Sequence, residues 1–125
     1  MPQIVAGDVI RVLAHFTRPP KQKILLCVDP ARFKYLVINS DPYLLALAAQ
    51  LKVSPAEVPG LDHDSHVDTS KLVTLSAMET QYVIDADARC HKGSAPAAVL
   101  QRIKALIAQH GIMPKDQMAI VAANL

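Results

Sequence analysis

Lys23-Ile24-Leu25-Leu26-Cys27-Val28-Asp29-Pro30-Ala31-Arg32-Phe33-Lys34-Tyr35-Leu36-Val37-Ile38-Asn39-Ser40 decides the fold. It holds two apolar runs, residues 23–28 and 33–38, rich in branched and aromatic side chains that suit a pleated sheet. Between them Asp29-Pro30-Ala31-Arg32 reads as a turn, because proline presets its own φ and aspartate bonds the backbone just ahead of it. Runs this short, bounded by turn residues, are strands, and the pair forms a hairpin. Asn39-Ser40-Asp41-Pro42 ends it.

Upstream, Gly7-Asp8 opens residues 9–13, a further strand with β-branched Val9 and Val12. Residues 15–22 form a loop, since neither Pro19 nor Pro20 can donate to a ladder. Downstream, residues 43–51 read either as a short helix or as the lead into a strand that starts near Leu51 and runs to Ser54. Residues 66–68 and 72–75 are short strands around Thr69-Ser70, and residues 82–84 a last one. The carboxyl-terminal third carries a helix over residues 95–110. Ser94 caps it, Pro96 sits in its first turn, and Gly111 stops it. Val99, Leu100, Ile103, Leu106 and Ile107 recur at helical spacing, with Gln101, Arg102, Lys104 and Gln109 on the other side. Residues 114–123 form a second short helix. The expected architecture is mainly β with a C-terminal helix (α+β): one domain over residues 1–125, a small β-barrel with helical additions, or alternatively an open α+β sheet.

Composition bounds the function. The chain has 125 residues, 51% of them apolar and 19% charged, enough apolar matter for a core and too little charge for general disorder. Three Tyr, two Phe and no Trp argue against a platform of stacked rings for single strands. Residues 1–40 carry six Lys or Arg against two Asp. Residues 41–88 carry two Lys against eight Asp or Glu, and residues 89–125 five Lys or Arg against one Asp. This pattern makes a two-signed surface able to attract a polyanion, or simply scattered solvated charge. Cys27 lies in an apolar run and Cys90 in a polar one, and nothing else marks a disulfide-bearing secreted chain. Met1-Pro2-Gln3 opens no basic-then-apolar leader, and the apolar run 44–49 is far short of the ~20 residues a membrane span needs. A cytoplasmic, membrane-free protein is expected.

Four constellations can carry chemistry. His15, Arg18, Lys21 and Lys23 make a basic loop that can grip phosphate, Arg as a fork and Lys as a point charge. Asn39-Ser40-Asp41 at a strand end can bond a ligand, or only make a turn. In Asp62-His63-Asp64-Ser65-His66-Val67-Asp68, an extended chain points Asp64, His66 and Asp68 to one face. That set could bind a divalent metal or do acid–base work, but it matches no closed zinc motif, and a polar rim is the plainer reading. Cys90-His91-Lys92 holds a Cys beside a His, yet neighbours in a strand face opposite ways.

The order of segments resembles the MazF/PemK toxin family. Gly7-Asp8-Val9-Ile10 opens a strand, a basic loop follows, and residues 23–28 form an apolar strand. Gly60-Leu61-Asp62-His63-Asp64-Ser65-His66-Val67, followed by Leu72-Val73-Thr74-Leu75, resembles that family's G-L-x-x-D-S-x-V segment and its next strand. The resemblance implies an SH3-like barrel, usually dimeric, in a toxin–antitoxin setting. It also implies metal-independent cleavage of single-stranded RNA by attack of the 2′-hydroxyl on the adjacent phosphate, with no cofactor, and an antitoxin-like protein as partner. Where the family carries Arg before the second strand this chain has Lys23, and its Arg18-Pro19 lies upstream. On this resemblance Arg18 and Lys23 neutralise the phosphate and Ser40, at the family's hydroxyl position, orients it. His15, Lys21, Asn39, Asp64 and Ser65 bind or support the substrate, Ser65 through backbone bonds. The rival is a non-catalytic protein-binding module on the same barrel.

Overall fold

The computed structural model describes residues 4–86 and 90–125, so Met1, Pro2 and Gln3, read above for a leader, lie outside the described residues, as does Asp87. Among the described residues six strands and three α-helices follow in chain order. β1 (Asp8–Ala14), β2 (Lys21–Asp29), β3 (Lys34–Asn39), β4 (Gln50–Val53) and β5 (Ser65–Thr74) lead to α1 (Ala77–Ala86). β6 (His91–Ser94), α2 (Ala97–His110) and α3 (Lys115–Asn124) complete the chain. One sheet runs β4-β5-β3-β2-β1-β6, and every neighbouring pair is antiparallel.

The hairpin is its centre. Leu25 pairs with Val37 and Leu26 with Leu36, and a short 3₁₀ helix (Pro30–Arg32) makes the turn. The Asp29 side chain accepts from the N–H groups of Ala31 and Arg32, and Phe33 turns the chain back at φ 58°. Alternation divides the strands between two cores. Val9, Leu26, Val28, Leu36, Ile38 and Val67 face α2 and α3, against Val99, Ile103, Ile107 and Val121. Ile10, Val12, Leu25, Cys27, Tyr35 and Val37 face the other way, with Val83 of α1 and Cys90 among them. Both faces of the hairpin are therefore buried, which is why it reads as continuous apolar runs rather than as an alternation.

The expected α+β composition stands, with local corrections. Residues 66–68 and 72–75 belong to the single strand β5. Its partners jump from the Val37–Asp68 pair to the Tyr35–Val73 pair, a bulge held by the Asp68 carboxylate, which accepts from Ser70 N and Ser70 Oγ. Residues 82–84 are helical. Ser76 Oγ accepts from the N–H of Glu79 while Glu79 accepts from the N–H of Ser76, a reciprocal box that starts α1. Residues 43–51 become a 3₁₀ helix (Leu44–Ala49) followed by β4.

Ser94 does not cap α2. It ends β6, a strand the sequence hid, and its Oγ donates to Asp8 Oδ1 at 2.7 Å. Asp8 is 2% exposed and needs donors; Val5 N donates to the other oxygen at 2.9 Å, and His91 Nε2 lies 3.0 Å from that oxygen. Pro96 stands at the α2 N-cap, its carbonyl accepting from Val99 and Leu100. The Cys27 carbonyl accepts from Gly7 N and the Cys90 carbonyl from Arg11 N, and both thiols are free.

The sheet curls until its two ends meet. Pro59 and Gly60, in the loop after β4, lie against Lys92 and Gly93 of β6. A Cβ on Gly60 would come within 2.7 Å of the Lys92 side chain. Arg102 of α2 holds the same loop by pairing with Glu57 and donating to the Lys52 carbonyl.

Candidate functional site

At the open end of β2 and β3, alternation is interrupted by polar residues. Ile24 pairs with Ile38, and one step beyond, Lys23 Nζ donates to Asn39 Oδ1 at 3.0 Å. Lys23 is also paired with Val12 and Asn39 with His66. Alternation sends Lys23 and Asn39 to the α1 face, with Val12 and Val37, and Gln22, Ile24, Ile38 and Ser40 to the α2 face.

Two clefts flank this ridge. The first, about 230 Å³, lies where the loop between β4 and β5 folds over the strand ends. Ile24, Ile38, Ser40, Ser65, Asp62 and His63 line it, with Arg11 of β1. Asp62 and His63 pair with each other. The second cleft, about 260 Å³, opens on the α1 face and is lined by Val37, Val73, Asp68, Phe16 and Tyr43. Lys23 and Asn39 line both.

The sequence candidates divide on this geometry. Lys23, Asn39, Ser40 and Ser65 share the first cleft. Ser65 is buried and its Oγ donates to the His63 carbonyl. Arg18 remains on the β1–β2 loop and lines none of the clefts described, and the same holds for Lys21 at the start of β2. Asp64 pairs with Lys52 at 3.8 Å, both side chains well exposed. His15 lines a third, apolar cleft of about 620 Å³ with Leu13, Met78 and Tyr82. Its backbone N–H and Nδ1 both approach Glu79 Oε2, at 3.2 and 3.3 Å. Burial works to raise the Glu79 carboxyl, but the hydrogen bonds from Ser76 and His15 outweigh it and hold the group below its ordinary range. His15 is thus a clamp on α1 and does not line the cleft of Lys23 and Ser40.

Arg11 and His63 are the side chains of the first cleft that sequence reasoning passed over. Arg11 had a signal, since it is the one charged residue inside the run 9–13. For the metal reading, Asp64, His66 and Asp68 do not converge. Among the described residues no three His, Cys, Asp or Glu side chains gather to hold an ion.

Comparison with protein-family models and with curated proteins finds no match to this sequence.

Proposed function

We propose that this chain is a MazF/PemK-like toxin on an SH3-like barrel, a metal-independent endoribonuclease acting on single-stranded RNA. The observation that carries the reading is the first cleft. Lys23 and Ser40, matched by the resemblance to the family's cation and hydroxyl positions, both line it, together with Arg11 and His63. In this reading the RNA 2′-hydroxyl attacks the adjacent phosphorus and the bond to the 5′-oxygen breaks. One product ends in a 2′,3′-cyclic phosphate and the other begins with a 5′-hydroxyl. Lys23 and Arg11 face the phosphate oxygens as charge gathers on them, and Ser40 orients one of those oxygens. His63 takes the 2′-hydroxyl proton, and water supplies a proton to the departing 5′-oxygen. Arg11, not the distant Arg18, completes the cationic pair.

The same reading carries an antitoxin-like peptide and a second copy of the chain as partners. Leu44, Leu45 and Leu47, 75%, 87% and 58% exposed, leave apolar surface suited to such contact. A cytoplasmic setting belongs to it as well; among the described residues no helix is long and apolar enough to cross a membrane.

Purified protein with long single-stranded RNA and excess chelator is expected to give fragments with new 5′-hydroxyl ends. Lys23→Ala and Arg11→Ala are each expected to slow cleavage by about 10²–10³-fold with the fold intact. Failure of the folded protein to cut any long RNA would overturn the nuclease and leave the protein-binding module.

A further inference from the structure

We infer that the second cleft, on the α1 face, is a nucleobase subsite that holds one base of a single-stranded RNA between Phe16 and Tyr43 and reads its edge with Asp68 and Asn39. The inference rests on the RNA reading of the first cleft and names what lies next to the phosphate.

The walls suit a flat ring. Phe16 comes from the β1–β2 loop and Tyr43 from the approach to the 3₁₀ helix, and they are 41% and 42% exposed. Val37 and Val73 add apolar surface to the same cleft. The few rings of this chain are thus not spread at random; two of the five stand on one cleft. Stacking of a base on such a side chain is indifferent to sequence, because every base has a π-face.

The polar groups suit an edge. Asp68 is 5% exposed, and its Oδ1 accepts three hydrogen bonds, from Ser70 N at 2.9 Å, Ser70 Oγ at 2.6 Å and Gln50 Nε2 at 3.0 Å. Its Oδ2 accepts none among the described residues, so an acceptor of a largely buried carboxylate is left open on the cleft lining. Asn39 Oδ1 is held by Lys23, which turns the amide so that Nδ2 is a donor without a partner among the described residues. An acceptor and a donor lining one cleft suit the N–H and acceptor atoms of a base's Watson–Crick edge. The frame is set in advance, since Gln50 links Asp68 to Tyr43 by accepting from the Tyr43 N–H at 3.2 Å.

The charges and the position suit a nucleotide chain. Lys23 and Lys71 flank the cleft, with the Lys71 ammonium 6.0 Å from the Tyr43 ring centre. Lys23 and Asn39 line both clefts, so a strand whose phosphate meets the first has a base within reach of the second.

The test uses 2′-O-methyl pentanucleotides of A, C, G and U, which cannot be cut because the attacking hydroxyl is blocked. Binding is followed by fluorescence anisotropy at low salt. The wild-type chain is expected to bind them with an order of preference. Phe16→Ala and Tyr43→Ala are each expected to weaken all four by about tenfold. Asp68→Asn keeps an oxygen for Ser70 and Gln50 but replaces the free acceptor with a donor, so it is expected to change the order of preference. Because Asp68 also holds the β5 bulge, its fold is checked by circular dichroism, and the exposed Phe16 provides a variant that cannot fail for that reason. Unchanged binding in Phe16→Ala and Tyr43→Ala, or no binding by the wild type, overturns the subsite even where long RNA is cut. Binding with the expected variant effects but no cutting supports the subsite and overturns the nuclease.

Discussion

His110, at the end of α2, is locked as a neutral imidazole by its partners. Thr69 Oγ1 gives its single proton to the Ala49 carbonyl at 2.7 Å, so at 2.9 Å from His110 Nε2 it must accept, and that nitrogen carries the ring proton. Nδ1 accepts from the Ile112 N–H at 2.8 Å and cannot also be protonated. Burial lowers the His110 pKa from its ordinary 6.5, against the Thr69 hydrogen bond and the charge of Asp68. A depressed pKa contributes stability above the unfolded value that is lost as pH falls through the folded one. Thermal melts are therefore expected to show a falling midpoint as pH drops below about 6.5, a slope that His110→Gln flattens. Nothing in the sequence around Gln109-His110-Gly111 marks this, because Thr69 is brought there only by the packing of α2 on β5.

At the scale of elements, α1 and α2 show what periodicity can and cannot reveal. Val99, Ile103 and Ile107 bury one clean stripe of α2, so its helix was legible. In α1, Val83 is the buried apolar anchor while Met78 and Tyr82 are exposed, so the run Tyr82-Val83-Ile84 resembled a strand. The signal that was present, Ser76 followed three residues later by Glu79, is a starting box rather than a period. Ser76→Ala is expected to cost about 1 kcal/mol in denaturant unfolding, and to loosen the His15 clamp that α1 holds through Glu79. β6 was hidden for a different reason. Its sequence, His91-Lys92-Gly93-Ser94, has no strand character, and the buried Asp8 carboxylate fixes it there through Ser94 and His91.

At the scale of the molecule, the curl of the sheet makes the site. Gly60 sits at φ +87° against Lys92, a conformation and a spacing that a side chain disturbs together. Gly60→Ala is expected to destabilise the fold by about 1–3 kcal/mol and, in the nuclease reading, to reduce RNA cleavage, since this loop carries His63 over the first cleft. Unchanged melting and cleavage in that variant would show that the two ends of the sheet need not meet.

The sequence by itself determined the hairpin, the strand before it, the helix after it and the α+β composition, because these rest on contacts between residues near in the chain or on one periodic face. It also placed Lys23, Asn39, Ser40 and Ser65 among the candidates, since polar residues at the ends of apolar runs stand out locally. Only the tertiary structure decided which of these meet. Arg11 reaches the cleft through pairing with β2, and the loop bearing His63 arrives by the curl of the sheet. Asp68 lines a second cleft beside a bulge, whereas Arg18, Lys21 and Asp64 line none of the clefts described and His15 lines the third. Those placements depend on strand pairing across tens of residues, which no local pattern of side chains encodes.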